Sequence, residues 1–259
     1  MAARLNTTLL VMDETECRET DVFALVALVV PIEKVDTIRL GLHRFMRELE
    51  GVPDRTISPP PELHGSKMLG DVAWATEAHR IKCFAHVVEV VNQLRIEVLR
   101  AAYYNKSLEP LRKGFEPAAR EKLYRGFRYS ACFGGLERSV GSLLAESYVI
   151  PVMDGLDDKI AFPVGGSKPI LHAMRAAPGY AEGQISIANV QNLLDPVFVD
   201  SRYSSIMQVA DVTAYLLHML DWERLTLPMS DFKASVAGVA NTLDASLVHG
   251  AEPIWMQTA

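Results

Sequence analysis

The sequence has no excess of positive charge, no paired cysteines and no long hydrophobic run, and each absence removes a class of protein. Its 259 residues carry 26 Lys and Arg against 32 Asp and Glu, a formal net charge of −6. Proteins that coat nucleic acid by counterion release are usually basic, so nonspecific DNA binding is disfavoured. A local basic groove, or a carboxylate cluster that needs a cation, stays compatible with this charge. The longest apolar run, FALVALVV from Phe23 to Val30, is strand length and far short of the roughly 18 residues of a membrane span. No membrane partner is therefore expected. The opening MAARLNTT lacks the apolar core and small-residue cleavage site of a secretion signal. Cys17, Cys83 and Cys132 are odd in number, widely spaced and form no CxxC. That favours reduced thiols in a cytoplasmic setting over a disulfide framework or a zinc site. His79, His86, His172 and His218 lack zinc-binding spacing and are assigned no chemistry.

What is present is an ordinary globular composition, 49% hydrophobic and 22% charged, able to bury a sizeable core. No repeat, low-complexity tract or linker divides the chain, so one domain over residues 1–259 is expected. Leu5–Glu14 reads as a buried strand ending in acids and Asp21–Pro31 as a second, joined by the polar link ETECRET. Glu33–Leu49 has helical spacing, with Val35, Ile38, Leu42, Phe45, Met46 and Leu49 on one face. The prolines of RTISPPPELHGSKMLGD then break the pattern and present Glu62 from a stiff segment. Trp74–Gln93 reads as a helix and Leu94–Tyr104 as a third strand. Glu116–Glu146 reads as one or two helices with a break at Gly134–Gly135. Ser147–Gly155 is a short strand ending in Asp154. Ser167–Ala177 looks helical, and QISIANV and PVFVDS look like strands. A helix begins at Ser204, and another covers Asp231–Leu247. A hairpin followed by strands alternating with helices predicts a mixed α/β sheet.

The chemistry-bearing residues are acids. Asp13 follows LLVM and Asp154 follows VIPVM, each after an apolar strand, where α/β sheets place ligands. Singly, such an acid is an ordinary turn former or helix cap. Asp211 and Gln208 sit three residues apart in the apolar middle of an amphipathic helix, on one face. Burying a lone carboxylate costs several kcal/mol unless it is paired or bound to a metal. With Glu62 these acids form a set that asks for one explanation. Converging carboxylates repel and raise at least one pKa. Mg²⁺ or Mn²⁺ resolves the repulsion, since hard cations take carboxylate oxygens. Two such ions about 4 Å apart can activate a water and stabilise the leaving oxygen of a phosphodiester.

The same residues carry a family likeness. VMDET, ELHGS, VIPVMDG and VDSRYSSIMQVAD resemble the motifs of the bacterial DUF3800 family, which is similar to ribonuclease H-like nucleases and integrases. The likeness runs from about Leu5 to Leu220, strongest at its two ends. It departs from the family pattern at Thr15–Glu16, where the family usually has Ser-Gly. The resemblance implies a ribonuclease H-like mixed sheet flanked by helices, with helical insertions. Its acids come from the first strand, a middle element, the fourth strand and the last helix. Asp13, Glu62, Asp154 and Asp211 match that scheme as catalytic and metal-binding residues for Mg²⁺ or Mn²⁺. Glu14, His64, Ser66, Asp200, Ser201, Ser205 and Gln208 fall within the matched motifs. Glu14, His64, Ser205 and Gln208 are expected to support the acids, with Gln208 binding a ligand or orienting a carboxylate. The expected activity is nuclease hydrolysis of DNA or RNA.

Other readings stay open. His64 is a metal ligand, proton carrier, phosphate contact or plain loop residue. Lys67 is a phosphate contact or a solvated lysine. Asp157 and Asp158 read as turn residues able to replace Asp154. AAREKLYRGFRY, Ala118–Tyr129, interleaves basic and aromatic residues as a nucleic-acid wall would, and a helix with a charged outer face explains the same letters. VGGSK lacks P-loop spacing, so Gly165–Gly166 reads as a turn. At the level of function, the rivals are a non-catalytic interaction or sensor module and a hydrolase of a small phosphorylated molecule.

Overall fold

The computed structural model describes residues 6–17, 19–49, 62–70, 74–113, 128, 132, 136, 140–154, 192–194, 197–250 and 253. The sequence-predicted elements at Ser167–Ala177 and QISIANV, the Gly134–Gly135 break, VGGSK, His172, Asp157 and Asp158 lie outside the described residues. So does all of AAREKLYRGFRY except Arg128.

The first two strands form a long hairpin, β1 (Asn6–Cys17) and β2 (Val22–Pro31), paired from Thr8↔Pro31 to Cys17↔Val22. β1 thus runs three residues beyond the expected Glu14, and most of ETECRET is strand. The alternation of Thr15 and Glu16 permits it, because β2 offers partners as far as Val22. Residues 19–21 turn, with Asp21 at φ 56. β2 is buried along nearly its whole length, as expected of a strand covered on both faces.

Next come α1 (Val35–Glu48), α2 (Gly65–Leu69), α3 (Glu77–Gln93) and β3 (Glu97–Tyr104). The short α2 stands where a broken pattern was expected. α3 starts late because Thr76 caps it, accepting from His79 N. α4 (Asn105–Arg112) was not anticipated. Residues 140–146 are helical, as are Arg128, Cys132 and Leu136. β4 (Ser147–Asp154), β5 (Val197–Val199), α5 (Ser205–Arg224), α6 (Asp231–Ala240) and β6 (Val248–His249) complete the order. α6 stops seven residues before the expected Leu247. There Thr242 bonds back to the Val239 carbonyl, a local contact that competes with the helix, and Asn241 reaches Glu223 at the end of α5.

The sheet order is β5-β4-β1-β2-β3-β6. β2 is antiparallel to both its neighbours, and the β1–β4, β4–β5 and β3–β6 pairs are parallel. The architecture is therefore α/β, a mixed sheet flanked by helices. One face (Leu9, Val11, Val26, Leu28, Val98, Val152) packs against α1, α3, α5 and α6. The other (Leu10, Met12, Leu25, Ala27, Leu99, Met153) meets Cys132, Leu136, Val140 and Leu144, four residues apart on a helical stripe. α5 is more than the amphipathic helix its spacing suggested. It is buried nearly all round, because it lies on the sheet and is covered by α1, α2, α3 and α6. Among the described residues no helix is long and apolar enough to cross a membrane.

Candidate functional site

Strand register brings the first two acids together. β1 and β4 pair in parallel through Leu9↔Ile150, Val11↔Val152 and Met12↔Met153. Asp13 and Asp154 are the next positions along. Leu9, Val11 and Val152 share the face that packs on α5, and side chains alternate along a strand, so both acids project from that face. Asp13 is therefore not at the end of its strand, as expected, but where β1 loses β4 as a neighbour. Over this point lies α5, and Asp211 comes down from it. The Asp13 and Asp211 carboxyls lie close enough together to repel when both are charged and to share a proton when they are not.

The segment of residues 62–70 closes the site from above. Asp211 Oδ2 accepts from Gly65 N at 3.2 Å and lies 3.2 Å from His64 Nδ1. Ser66 Oγ is 3.0 Å from the same ring nitrogen. Gln208, one turn earlier on α5, accepts from Leu63 N at 3.4 Å and donates to the Ser201 and Arg202 carbonyls at 3.0 and 3.2 Å. It thus ties two loops to one helix. Arg80, buried on α3, donates to the Met68 and Gly70 carbonyls and holds the far end of α2.

A cavity of about 220 Å³ results, lined by Asp13, Glu14, Asp154, His64, Asp211 and Tyr215 among others. Glu62 is outside that lining. Its Oε1 accepts from Ser201 Oγ at 2.9 Å and its Oε2 pairs with Lys67 at 3.2 Å. Lys67 is thus an ion-pair partner at the rim. Ser205 stands at the first turn of α5 and does not line the cavity. Arg128 pairs with Glu16, another lining residue, and lies over the Phe23 ring. Sequence reading had no part for Tyr215. Its signal was spacing, since it falls four residues after Asp211 and so on the same face. Arg80 left no such signal.

Electrostatics mark the pair as uncomfortable. Burial pushes Asp13 well above the usual carboxylate range, and repulsion from Asp211 and Glu14 adds to it. Burial likewise raises Asp211 to about 6, opposed by His64 and the Gly65 N–H. So close a buried pair favours sharing one proton over carrying two charges. Among the described residues no group of three or more His, Cys, Asp or Glu is already arranged to hold a metal ion. The all-oxygen donor set of the acid pair with Asp154, beside a cavity, nonetheless suits a hard cation in its chemistry.

Gly65 is required by packing. A Cβ there would lie 2.6 Å from Tyr215 Cδ2 and 2.7 Å from Tyr215 Cβ. The second atom is fixed to the α5 backbone, so ring rotation gives no relief. Gly65→Ala is expected to push α2 off α5 and cost about 1–3 kcal/mol, measured by urea denaturation. Unchanged stability would mean that α2 does not sit against Tyr215.

Comparisons of the chain with protein-family models, with curated proteins and with solved structures find no match. The DUF3800 likeness rests on the quoted motifs alone.

Proposed function

We propose that the chain is a single ribonuclease H-like domain of DUF3800 type, a nuclease whose Asp13, Asp154 and Asp211 hold Mg²⁺ or Mn²⁺, with Glu62 at the rim. The observation that carries this reading is the convergence of acids from β1, β4 and α5 on one cavity. Those are the elements on which the ribonuclease H-like arrangement draws. The raised pKa values add support, since a cation relieves the repulsion that burial otherwise leaves to a proton.

When bound, a divalent ion supplies charge neutralisation at a phosphodiester and a more acidic water. The chain's own part is orientation. Gly65 N–H and His64 fix the Asp211 carboxylate, Ser201 and Lys67 fix Glu62, and Gln208 holds both loops to α5. The pair must give up its shared proton before both carboxylates can act as ligands. Affinity for Mn²⁺ is therefore expected to weaken as pH falls toward 6.

Titration calorimetry tests this. Wild type is expected to bind Mn²⁺ and to cleave a labelled oligonucleotide in its presence, and Asp211→Asn to do neither. Binding of ion at 100 times its Kd would stabilise the native state by about 2.7 kcal/mol. A wild type that binds no ion, or an Asp211→Asn protein that cleaves normally, would overturn the assignment.

One set of contacts favours a second reading. Gln208 and Asp211 both accept buried backbone N–H groups, from Leu63 and Gly65. On that reading they are structural clamps in a non-catalytic module. Its signature would be no ion binding together with plain destabilisation by Asp211→Asn.

A further inference from the structure

We infer that Tyr203 is a stacking platform for an unpaired base, so that the site takes single-stranded nucleic acid. This rests on the nuclease reading above and narrows its substrate.

Tyr203 is 68% exposed, more than any other large hydrophobic side chain among the described residues. A lone exposed ring is common on protein surfaces. Two features set this one apart. The first is how firmly it is presented. It ends a 3₁₀ turn, Ser201–Tyr203, capped by Asp200, whose carboxylate accepts from Arg202 N at 3.0 Å and whose carbonyl accepts from Tyr203 N at 3.0 Å. Gln208, only 5% exposed, directs its amide to the Ser201 and Arg202 carbonyls and fixes the turn from within. Arg202 is held in a fork by Asp200, with bonds of 3.0 and 2.8 Å, and its guanidinium lies 5.6 Å from the Tyr203 ring centroid. A ring with two rotatable bonds on a fixed turn loses little entropy when a partner covers it.

The second feature is position. Ser201 lines the acid cavity, and Tyr203 is two residues away in a turn rising about 2 Å per residue. A phosphate over the acids would leave the base of the same or next nucleotide within reach of that ring. Bases in a duplex are stacked on one another and show a protein only their edges. A protruding ring can take the face only of an unpaired base.

Fluorescence anisotropy in Ca²⁺, with labelled oligo(dT) and oligo(U) of about 12 nucleotides and a duplex of equal length, provides the test. Wild type is expected to prefer the single strands, and the two oligomers report which sugar is favoured. Tyr203→Ala should weaken single-strand binding about 5- to 150-fold. Tyr203→Trp should keep it, and Mn²⁺ binding by calorimetry should be unchanged in both variants. Equal binding by wild type and Tyr203→Ala, a preference for duplex, or full retention in Tyr203→Leu would overturn the inference. If Mn²⁺ binds but no oligonucleotide does, the stacking role falls and the ion site stands. If Mn²⁺ fails to bind, both fall together.

Discussion

Asp13→Asn is expected to make the metal-free protein more stable at pH 8 while abolishing its binding of Mn²⁺. The reasoning starts from the proton. Both carboxyls have higher pKa values in the folded protein than in the unfolded chain, chiefly through burial. Such groups bind a proton more tightly when folded. Their contribution is fully present below about pH 4, the unfolded value, and is lost as pH rises through the folded values. For Asp211 that window closes at about 6, and burial shifts Asp13 in the same direction. Neutral pH thus finds the pair destabilising the apo fold. A rise in Asp211 to about 6 corresponds to roughly 3 kcal/mol at full ionisation.

An asparagine amide at position 13 can donate to Asp211 at every pH, as the protonated acid does. It removes the titration and keeps the hydrogen bond. Melting curves between pH 4 and 8 should decline less steeply for Asp13→Asn than for wild type, with a gain of about 1–3 kcal/mol at the alkaline end. Simple structural acceptors would behave in the opposite way, losing stability on substitution. A variant less stable than wild type at pH 8 would mean that Asp13 and Asp211 do not repel in the native state.

Arg100→Met should be the most damaging single change, at about 3–5 kcal/mol. Arg100 projects from β3 opposite Val26, toward α5, and pairs there with Asp221; the two side chains are only 1% and 3% exposed. Burial raises the Asp221 pKa even with Arg100 beside it, a sign of how much desolvation this carboxylate bears. Without Arg100 it would retain Arg224, at 3.3 Å on the partly exposed edge. The double variant Arg100→Met with Asp221→Leu should recover most of the loss, because an apolar pair of similar volume avoids desolvation altogether. Guanidinium unfolding of the three proteins decides it, and a single variant as stable as the double would show that the pair is not coupled. His218 lies nearby, packed edge-on against Tyr215 and Trp222, with its pKa lowered to about 4 by burial and then by Arg100. It is therefore neutral at neutral pH and above.

Local signals in the sequence were enough for the α/β class, for β2, β4 and the start of α5, and for Asp13, Asp154 and Asp211 as acids out of place. Each followed from short-range physics: apolar runs of strand length, helical spacing, and a carboxylate in an apolar stretch. The limits of β1 did not, because Thr15–Cys17 are strand only through β2. Nor did the burial of α5 on all sides, which depends on four helices distant in sequence. Tertiary structure alone decided that Asp13 and Asp154 are adjacent, since parallel register is set between strands more than 130 residues apart. It also turned Glu62 away toward Lys67 and Ser201, and made Gly65 indispensable by setting it against Tyr215. Composition along the chain determines which residues resist ordinary burial. Only the packing of the sheet against α5 determines which of them must face one another.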